Sequence, residues 1–422
     1  MKLISSYGIF EIAERTLNNI DIRMAGHAKR VSYLTCEVLQ SLKDEYSLRE
    51  IQDATILALL HDIGAYKTAD ITNLVSFESI HNMEHAVYGA LFLKAFSPLA
   101  DKTDIVLYHH LPASAYKKVE NELSQNHLSG LICLCDRMEL MLRAHSEEQC
   151  INYIKEQSGI KFTNYWVDSF IKANAEKHIL ESIRSEDYEK KYHEFAAQIN
   201  ITQEEKRAYL ATLAYFIDFR SEFMVLHTIT TVSITLVLAE MFGLDNQETS
   251  DIHFGALLHD IGKVATPVEI LEKPGRLTSE EMAIMQKHVS LSKNILCGLI
   301  KPEICNIAVR HHEKLDGSGY PDGICGKDLA LSERIVAVAD VTSALIRKRS
   351  YKEAFDKNDT LKILNDMADA NKLCPVVVGK VVDNFDYTIN RTYSRSKEIM
   401  SKYELLKTEY QRIMNLIRDF EE

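Results

Sequence analysis

The heptapeptide ALLHDIG occurs twice in this chain of 422 residues, first around His61 and then around His259. A motif repeated at this distance indicates a duplicated structural unit, which changes how every other motif is interpreted. Aligning the two copies pairs further histidines and aspartates at offsets close to 200 residues. The first set is His27, His61, Asp62, His85, His109, His110 and Asp136, and the second is His227, His259, Asp260, His288, His311, His312 and Asp340. Ten of the 16 histidines thus fall into two equivalent sets.

Apolar residues recur at three- and four-residue spacing along most of the chain, as in HTITTVSITLVLAEMF, and no long run alternates with period two. This pattern predicts an all-α fold of two tandem helical bundles. A polar helical stretch from about 180 to 205 separates a predicted N-terminal domain, 1–200, from a second domain, 205–422. The charged tail predicts one long C-terminal helix, which we expect to pack along its own domain rather than form a dimerising coiled coil, because few clean heptads are visible.

The overall charge and composition exclude several classes of protein. A net charge of −12 disfavours a surface that binds DNA or RNA polymers, which requires many Lys and Arg contacts to phosphate. The eight cysteines show no zinc-finger spacing, and most of them resemble reduced core residues. The N-terminus lacks the apolar core of a signal peptide, and no stretch reaches the length of a membrane span. We therefore expect a cytoplasmic protein with no membrane partner.

The histidines and aspartates of the second set predict a metal centre. Five histidines and two carboxylates on otherwise apolar helices would be costly to bury unless a bound cation satisfied them. Imidazole with carboxylate suits Fe, Mn, Zn, Co or Ni. Seven ligands exceed the needs of one catalytic ion, so two divalent ions bridged by a carboxylate are expected. Such a pair holds a phosphoryl oxygen and activates water, which indicates phosphoester hydrolysis.

HDIGK at 259–263, the separate histidines, HHEKLDGSGYPDG at 311–323 and RIVAVADVTSAL resemble the HD-GYP subgroup of the HD-domain phosphohydrolases. The resemblance covers roughly residues 215–380 and implies a binuclear centre with phosphodiesterase activity on cyclic dinucleotides, principally the bacterial messenger cyclic di-GMP. By the same resemblance, Asp260 would bridge both ions and Lys263 would lie beside the scissile phosphate. One ion would be held by His227, His259 and Asp340, and the other by His288, His311 and His312. Fe and Mn are the favoured metals, with Ni, Co and Zn as alternatives.

The loop after the histidine pair is the expected substrate-binding element. Glycines at 317 and 319 and Pro321 would bring Tyr320 and the backbone close to substrate, since glycine permits close approach and proline restricts the turn. A loop in which Tyr320 only packs for stability is the alternative. Arg349 and Lys352 stand where the family often has an Arg-Pro-Tyr-Arg stretch, which makes them candidate contacts to guanine or phosphate. Ser350 replaces the proline, and a solvated basic face is an equal alternative.

The first unit departs from the pattern where chemistry is expected. Ala65 replaces the lysine after HDIG, and HHLPASAYKK has no Gly-Tyr-Pro. It resembles a degenerate HD domain, for which metal binding stays open. We expect a regulatory role or one in homodimerisation or signalling-partner binding, rather than independent turnover.

The predicted function is hydrolysis of cyclic di-GMP to pGpG, with further cleavage to GMP left open. One alternative substrate is the hybrid cyclic GMP-AMP. Alternatives of other classes are a catalytically weak cyclic-dinucleotide receptor or adaptor and a general nucleotide phosphohydrolase, which the Gly-Tyr-Pro element disfavours.

Overall fold

The computed structural model describes residues 3–66, 83–118, 127–218, 222–346 and 355–421. Within these ranges the chain is helical and contains no β-sheet, which confirms the predicted all-α class. The helices in the first half are α1 (Ser6–Leu17), α2 (His27–Ser41), α3 (Leu48–Leu59), α4 (Met83–Phe96), α5 (Asp104–Leu107), α6 (Leu128–Leu142), α7 (Glu147–Glu156), α8 (Asn164–Lys177), α9 (Ile179–Arg184) and α10 (Tyr188–Gln198).

The second half continues the helical architecture. Its helices are α11 (Gln203–Asp218), α12 (Glu222–Phe242), α13 (Asn246–Leu258), α14 (Val268–Leu271), α15 (Ser279–Leu296), α16 (Pro302–Val309), α17 (Leu331–Leu345), α18 (Lys357–Asp369), α19 (Pro375–Asp383) and α20 (Phe385–Glu421). Short 3-10 turns lie between them at Ile22–Met24, Ile63–Tyr66, Ala100–Lys102, Ala113–Lys118, Ile261–Ala265 and Gly326–Asp328. The predicted long C-terminal helix is α20, with 37 residues.

The chain divides into two compact units. One comprises Ser5–Tyr209 together with Leu406–Glu422, and the other comprises Leu210–Leu405 with the N-terminal residues through Ile4. The first unit has an aromatic core that includes Trp166, Tyr33 and Phe10, whereas the second is filled mainly by Ile, Leu and Val of α12, α16 and α17. Each unit buries enough apolar surface for a core of its own.

Local sequence explains where the helices that carry the histidines begin. At the start of α13 the Asp245 side chain accepts hydrogen bonds from backbone amides of the first turn, and the Glu248 carboxylate accepts one from the backbone amide of Asp245. Thr278 and Glu281 form the same reciprocal pair at α15. These capping boxes satisfy amide groups that the first helical turn leaves without partners.

The glycine of each HDIG motif lets the motif pack directly against the helix that carries the next histidine. A Cβ added to Gly262 would lie 2.0 Å from the backbone oxygen of His288, and one added to Gly64 would lie 2.0 Å from that of His85. Only glycine permits this approach. The repeated motif therefore sets the same turn-to-helix distance in both units.

One pair of cysteines differs from the expected reduced state. Cys297 and Cys305 form a disulfide, with their Cα atoms 5.6 Å apart at the junction of α15 and α16. That separation lies within the range that a disulfide requires. The other six cysteines are free and five of them are buried, in agreement with the prediction for most of them. Helix packing, which linear spacing does not reveal, brings Cys297 and Cys305 together. No helix in the described ranges has the length and apolarity needed to cross a membrane.

Candidate metal centres and active site

The side chains of all seven predicted ligands of the second unit lie close together. His227 lies on α12, His288 on α15 and Asp340 on α17, while His259 and Asp260 follow α13 and the His311–His312 pair follows α16. Two groups of side chains place their ligand atoms within 4.8 Å of one another, one of them His227, His259 and Asp260 and the other His288, His311 and His312. The cluster therefore has two compartments.

Asp260 lies between the two compartments. Its Oδ2 is 3.1 Å from Nε2 of His259 and 3.7 Å from Nε2 of His227. Its Oδ1 is 3.4 Å from Nε2 of His288 and 3.9 Å from Nε2 of His311. Each carboxylate oxygen thus faces a different pair of imidazoles, the arrangement that a carboxylate bridging two ions requires.

Asp340 also reaches both compartments. Its Oδ1 is 2.9 Å from Nε2 of His227 and 3.8 Å from Nε2 of His259, and its Oδ2 is 3.9 Å from Nδ1 of His312. The first two distances agree with the predicted grouping of Asp340 with His227 and His259.

Hydrogen bonds at the outer ring nitrogens orient three of the histidines. Nδ1 of His259, His288 and His311 lies 2.6 to 2.7 Å from the carbonyl oxygen of the residue three positions earlier. A carbonyl can only accept, so each Nδ1 carries a proton, and Nε2 is the nitrogen that presents a lone pair to the centre when the ring is neutral. Metal-binding histidines are held in this way.

The buried polar atoms at the centre lack protein partners. Nε2 of His259 and Oδ1 of Asp260 are buried and receive no hydrogen bond. Burying such atoms without compensation is costly, whereas a divalent cation would satisfy both. The donor set, imidazole nitrogen with carboxylate oxygen, fits a transition metal of the Fe, Mn or Zn type.

Burial and neighbouring carboxylates give the imidazoles different protonation states. Burial lowers the pKa of His288 to about 4 and that of His312 to about 3, so both rings are neutral at pH 7, the state that binds metal. Burial also acts to lower the pKa of His259, but Asp260 and Asp340 outweigh it and raise that pKa to about 9. An ion bound by His259 therefore displaces a proton.

Lys263 adds a positive charge to the edge of the cluster. It lies in the 3-10 turn Ile261–Ala265, and its Nζ is 2.6 Å from Oδ2 of Asp260. Its side chain is 12 % exposed. The ammonium group is thus positioned to contact an anion that approaches the centre.

The Gly-Tyr-Pro loop lies against the histidine pair. The Tyr320 ring stacks on His312 with centroids 4.7 Å apart, and Pro321 follows at the half-buried edge of the loop. Gly317 has a φ of 78°, and a Cβ at Gly319 would lie 2.4 Å from Cα of Glu313. Tyr320 is therefore held in direct contact with a candidate ligand.

Two residues that sequence reasoning missed support this arrangement. Glu313 is buried, and its carboxylate accepts hydrogen bonds from the backbone amides of Asp322 (2.8 Å) and Ile324 (3.0 Å). Ser343 Oγ lies 3.2 Å from Nδ1 of His227. The position of Glu313 directly after the histidine pair was the one available signal. Arg349 and Lys352 lie outside the described residues.

The first unit brings its own seven predicted residues together in the same way. Oδ2 of Asp62 lies 3.3 Å from Nε2 of His61 and 3.7 Å from that of His27. Its Oδ1 lies 3.5 Å from Nε2 of His85 and 3.7 Å from that of His109. The remaining two residues complete the groups, with Asp136 beside His27 and His61 and His110 beside His85 and His109.

A small cleft, open to solvent, adjoins this first cluster. His27 and Asp62 line it together with apolar side chains such as Leu17, Met24 and Leu59. Ala65 is also in its wall, where the second unit has Lys263. The described wall therefore lacks the ammonium group that accompanies the second cluster.

Comparison with known proteins agrees with the duplicated architecture. A family model described as HD domain matches residues 211–375, and a second model with the same description matches residues 24–141. The chain contains two HD domains. The identification rests on both halves of the repeat and includes all fourteen residues of the two sets.

The relatives of this two-HD-domain chain are phosphodiesterases named for cyclic dinucleotides. It is 28 % identical over 387 residues to 3′3′-cGAMP-specific phosphodiesterase 1 of Vibrio cholerae, covering 88 % of this chain and 89 % of that protein. It is 40 % identical over 171 residues to the cyclic di-GMP phosphodiesterase response regulator RpfG of Xanthomonas campestris, covering 40 % of this chain and 45 % of that protein. The chain is homologous to these enzymes.

A solved structure has the same fold. The crystal structure of a cyclic GMP-AMP-specific phosphodiesterase of V. cholerae, V-cGAP3, superposes with a TM-score of 0.59 at 16 % identity. The superposition covers 92 % of this chain and 98 % of that one. At this identity the likeness concerns the fold alone.

Proposed function

We propose that the second HD domain hydrolyses a phosphodiester bond of a cyclic dinucleotide with two divalent ions held by its seven-residue cluster. The observation that carries the proposal is the position of Asp260, whose two oxygens face different histidine pairs. A single ion would leave one of these pairs without a partner. Homology to cyclic-dinucleotide phosphodiesterases supports the same reaction class.

Each part of the cluster has a proposed role. Asp260 would bridge the two ions, which His227, His259 and Asp340 would hold on one side and His288, His311 and His312 on the other. When bound, the ions would polarise the phosphodiester and activate a water molecule. Lys263 contacts a phosphate oxygen and offsets the charge that develops as the bond breaks. Fe or Mn is the proposed native metal.

The loop that carries Tyr320 is the proposed substrate clamp. Because Tyr320 stacks on His312, a base or ribose in contact with its ring would lie directly beside the metal centre. Gly319 and Pro321 keep the chain close to the histidine pair, and Glu313 holds the far side of the loop. Arg349 and Lys352 remain proposed contacts to guanine or phosphate.

Two substrates are candidates. Cyclic di-GMP, cleaved to pGpG and onward to GMP, is proposed from the motif pattern and from the RpfG relative. 3′3′-cGAMP is the second candidate, because the relative that matches nearly the whole chain is named for it. The two ligands differ at one base, so the loop residues rather than the metal ligands must select between them.

We assign the first HD domain, about residues 1–200, a regulatory or dimerising role. The absence of a Lys263 equivalent at Ala65 and of a Gly-Tyr-Pro element removes two groups that the proposed reaction uses. Its metal-like cluster is retained, which suits a domain that binds a ligand or ion without turning substrate over.

Product analysis tests the proposal. Full-length protein loaded anaerobically with Mn(II) or Fe(II) is incubated with cyclic di-GMP or 3′3′-cGAMP, and products are separated by chromatography beside the Asp260→Asn and Lys263→Ala variants. We expect linear dinucleotides from the wild type and at least a hundredfold less from Asp260→Asn. If either nucleotide binds but is not cleaved although the second unit holds two ions, the domain is a cyclic-dinucleotide receptor and not a phosphodiesterase.

A further inference from the structure

The residue that follows the last aspartate differs between the two clusters. In the second unit Asp340 precedes Val341, whereas in the first unit Asp136 precedes Arg137. The Arg137 side chain is only 15 % exposed and points toward the cluster. A fixed positive charge is therefore placed where the second unit has an apolar side chain.

Arg137 contacts two of the predicted ligands. Its Nη2 lies 3.4 Å from Nδ1 of His110, and its Nε lies 3.7 Å from Oδ2 of Asp136. A guanidinium group has only donors, so Nδ1 of His110 must accept. The proton of the neutral His110 ring then resides on Nε2.

This proton is directed at a third ligand. Nε2 of His110 lies 3.0 Å from Nε2 of His85, at hydrogen-bond distance. Nε2 of His110 therefore donates a hydrogen bond to the lone pair on Nε2 of His85. Arg137, His110 and His85 thus form a hydrogen-bonded relay that occupies two of the three imidazole nitrogens a second ion would need.

The second unit has the opposite polarity at the same position. Nδ1 of His312 lies 3.9 Å from a carboxylate oxygen, Oδ2 of Asp340, which cannot donate, so this neighbour does not require Nδ1 to accept as Arg137 does for His110. The His288 and His312 rings are 5.3 Å apart, whereas the equivalent His85 and His110 rings are 4.9 Å apart. The imidazole contact of His288, from its Nε2 to Nε2 of His311, is 3.5 Å, against 3.0 Å between His85 and His110, so the ring nitrogens of the second unit are held less closely together.

The other half of the first cluster is fully built for a metal. Nδ1 of His27 lies 2.5 Å from Oε2 of the buried Glu139, and Nδ1 of His61 lies 2.8 Å from the carbonyl oxygen of Ala58. Arg143 holds Glu139 in turn, at 2.8 Å. A carboxylate behind a ligating imidazole increases its basicity and fixes its orientation. The Nε2 atoms of His27 and His61 are buried and receive no hydrogen bond.

We infer that the first HD domain binds a single divalent ion, through His27, His61, Asp62 and Asp136, and that the guanidinium of Arg137 excludes the second ion by holding the proton of His110 on Nε2, toward His85. The inference does not depend on catalysis by the second HD domain. It makes the two clusters unequal, with one ion in the first and a pair proposed in the second.

Metal counting on the full chain tests this inference. The second-unit site is removed by Asp260→Ala and His288→Ala together, the protein is reconstituted with Mn(II), and bound ions are counted by mass spectrometry after free metal is removed. We expect one ion per chain, with the electron paramagnetic resonance pattern of an isolated Mn(II). Adding Arg137→Val, the residue found at the equivalent position, should raise the count to two and produce the signal of a coupled pair.

Several outcomes would overturn the inference. One is a count of two ions, or of none, in the first unit while Arg137 is present. Another is a metal count that stays the same after Arg137→Val in a protein that still folds. Arg137→Met, which keeps an unbranched apolar stem and removes the guanidinium, is the second variant if valine disturbs folding. In the reciprocal experiment His61→Ala with Asp62→Ala removes the first site, and Val341→Arg should then lower the count from two to one. If the second unit binds fewer than two ions before Val341→Arg is introduced, that result counts against the proposed binuclear centre. The metal count of the first unit is unaffected by that outcome.

Discussion

Substitution of Gly262 by alanine is expected to disable the second HD domain without touching a ligand. The added Cβ would lie 2.0 Å from the backbone oxygen of His288 and 2.6 Å from the backbone nitrogen of Ser292. To restore even 3.0 Å to the oxygen, the turn and the helix must separate by 3.0 − 2.0, or about 1 Å. Both partners are backbone atoms, so no side-chain rotation relieves the contact.

The size of the effect follows from that displacement. Overpacking of this kind costs about 1–3 kcal/mol, which corresponds to a fall in melting temperature of roughly 2–12 °C for a domain of this size. The same movement carries Asp260 away from His288, whose atoms Oδ1 and Nε2 are 3.4 Å apart. A misplacement of about 1 Å in a catalytic array can cost about a hundredfold in rate. We therefore expect Gly262→Ala to lower turnover by about that factor.

Thermal unfolding, metal content and turnover are measured on Gly262→Ala beside two controls. Gly379→Ala adds a methyl group in the helix α19, where no atom lies within 4 Å, and should raise stability by about 0.5–1 kcal/mol. Gly64→Ala introduces the equivalent clash in the first unit and should leave the second-unit metal content unchanged. Wild-type turnover and melting temperature in Gly262→Ala would refute the role assigned to this close approach.

Three further perturbations probe the loop, the proton balance and the cap. Glu313→Gln replaces one of the two oxygens that accept from the amides of Asp322 and Ile324 by an NH2 donor, so one amide loses its partner. The loss of about 1–3 kcal/mol should raise KM roughly 5- to 160-fold with unchanged metal content. Exposed Glu303→Gln is the control, and parallel loss of metal would contradict a loop-positioning role. The pKa of His259 is about 9 in the metal-free protein, so an ion that binds below that pH displaces a proton from the ring. Mn(II) affinity, measured by chelator competition, should therefore rise about tenfold per pH unit from pH 7 and level off near pH 9. An affinity that does not change with pH would show that metal binding displaces no proton from His259. Thr278→Ala removes the capping hydrogen bond of α15 and should lower the free energy of unfolding by about 1 kcal/mol in denaturant titration without changing turnover, whereas Ser279→Ala should have little effect.

The sequence was sufficient to predict the fold class and the convergence of the ligands, for identifiable reasons. Helical periodicity is a local property, and the capping box at Thr278 and Glu281 depends only on a three-residue spacing. The ALLHDIG repeat tied distant histidines to one another, because duplicated units place equivalent residues alike. The structure then brings His227 and Asp340 to 2.9 Å although 113 positions separate them.

The sequence could not predict contacts that arise from helix packing, or which way a hydrogen bond runs between two side chains. The buried Glu139 behind His27 and the disulfide between Cys297 and Cys305 arise from helix packing, which spacing does not reveal. Arg137 is the clearest case. By identity alone, every ligand of the first set is retained, and the two clusters look equivalent. The guanidinium beside Nδ1 of His110 determines which nitrogen of that ring carries the proton. The position of the proton then decides whether His110 can bind a metal ion through Nε2 or donates a hydrogen bond to His85 instead. A set of conserved ligand types therefore specifies a metal site only together with the donors and acceptors behind it.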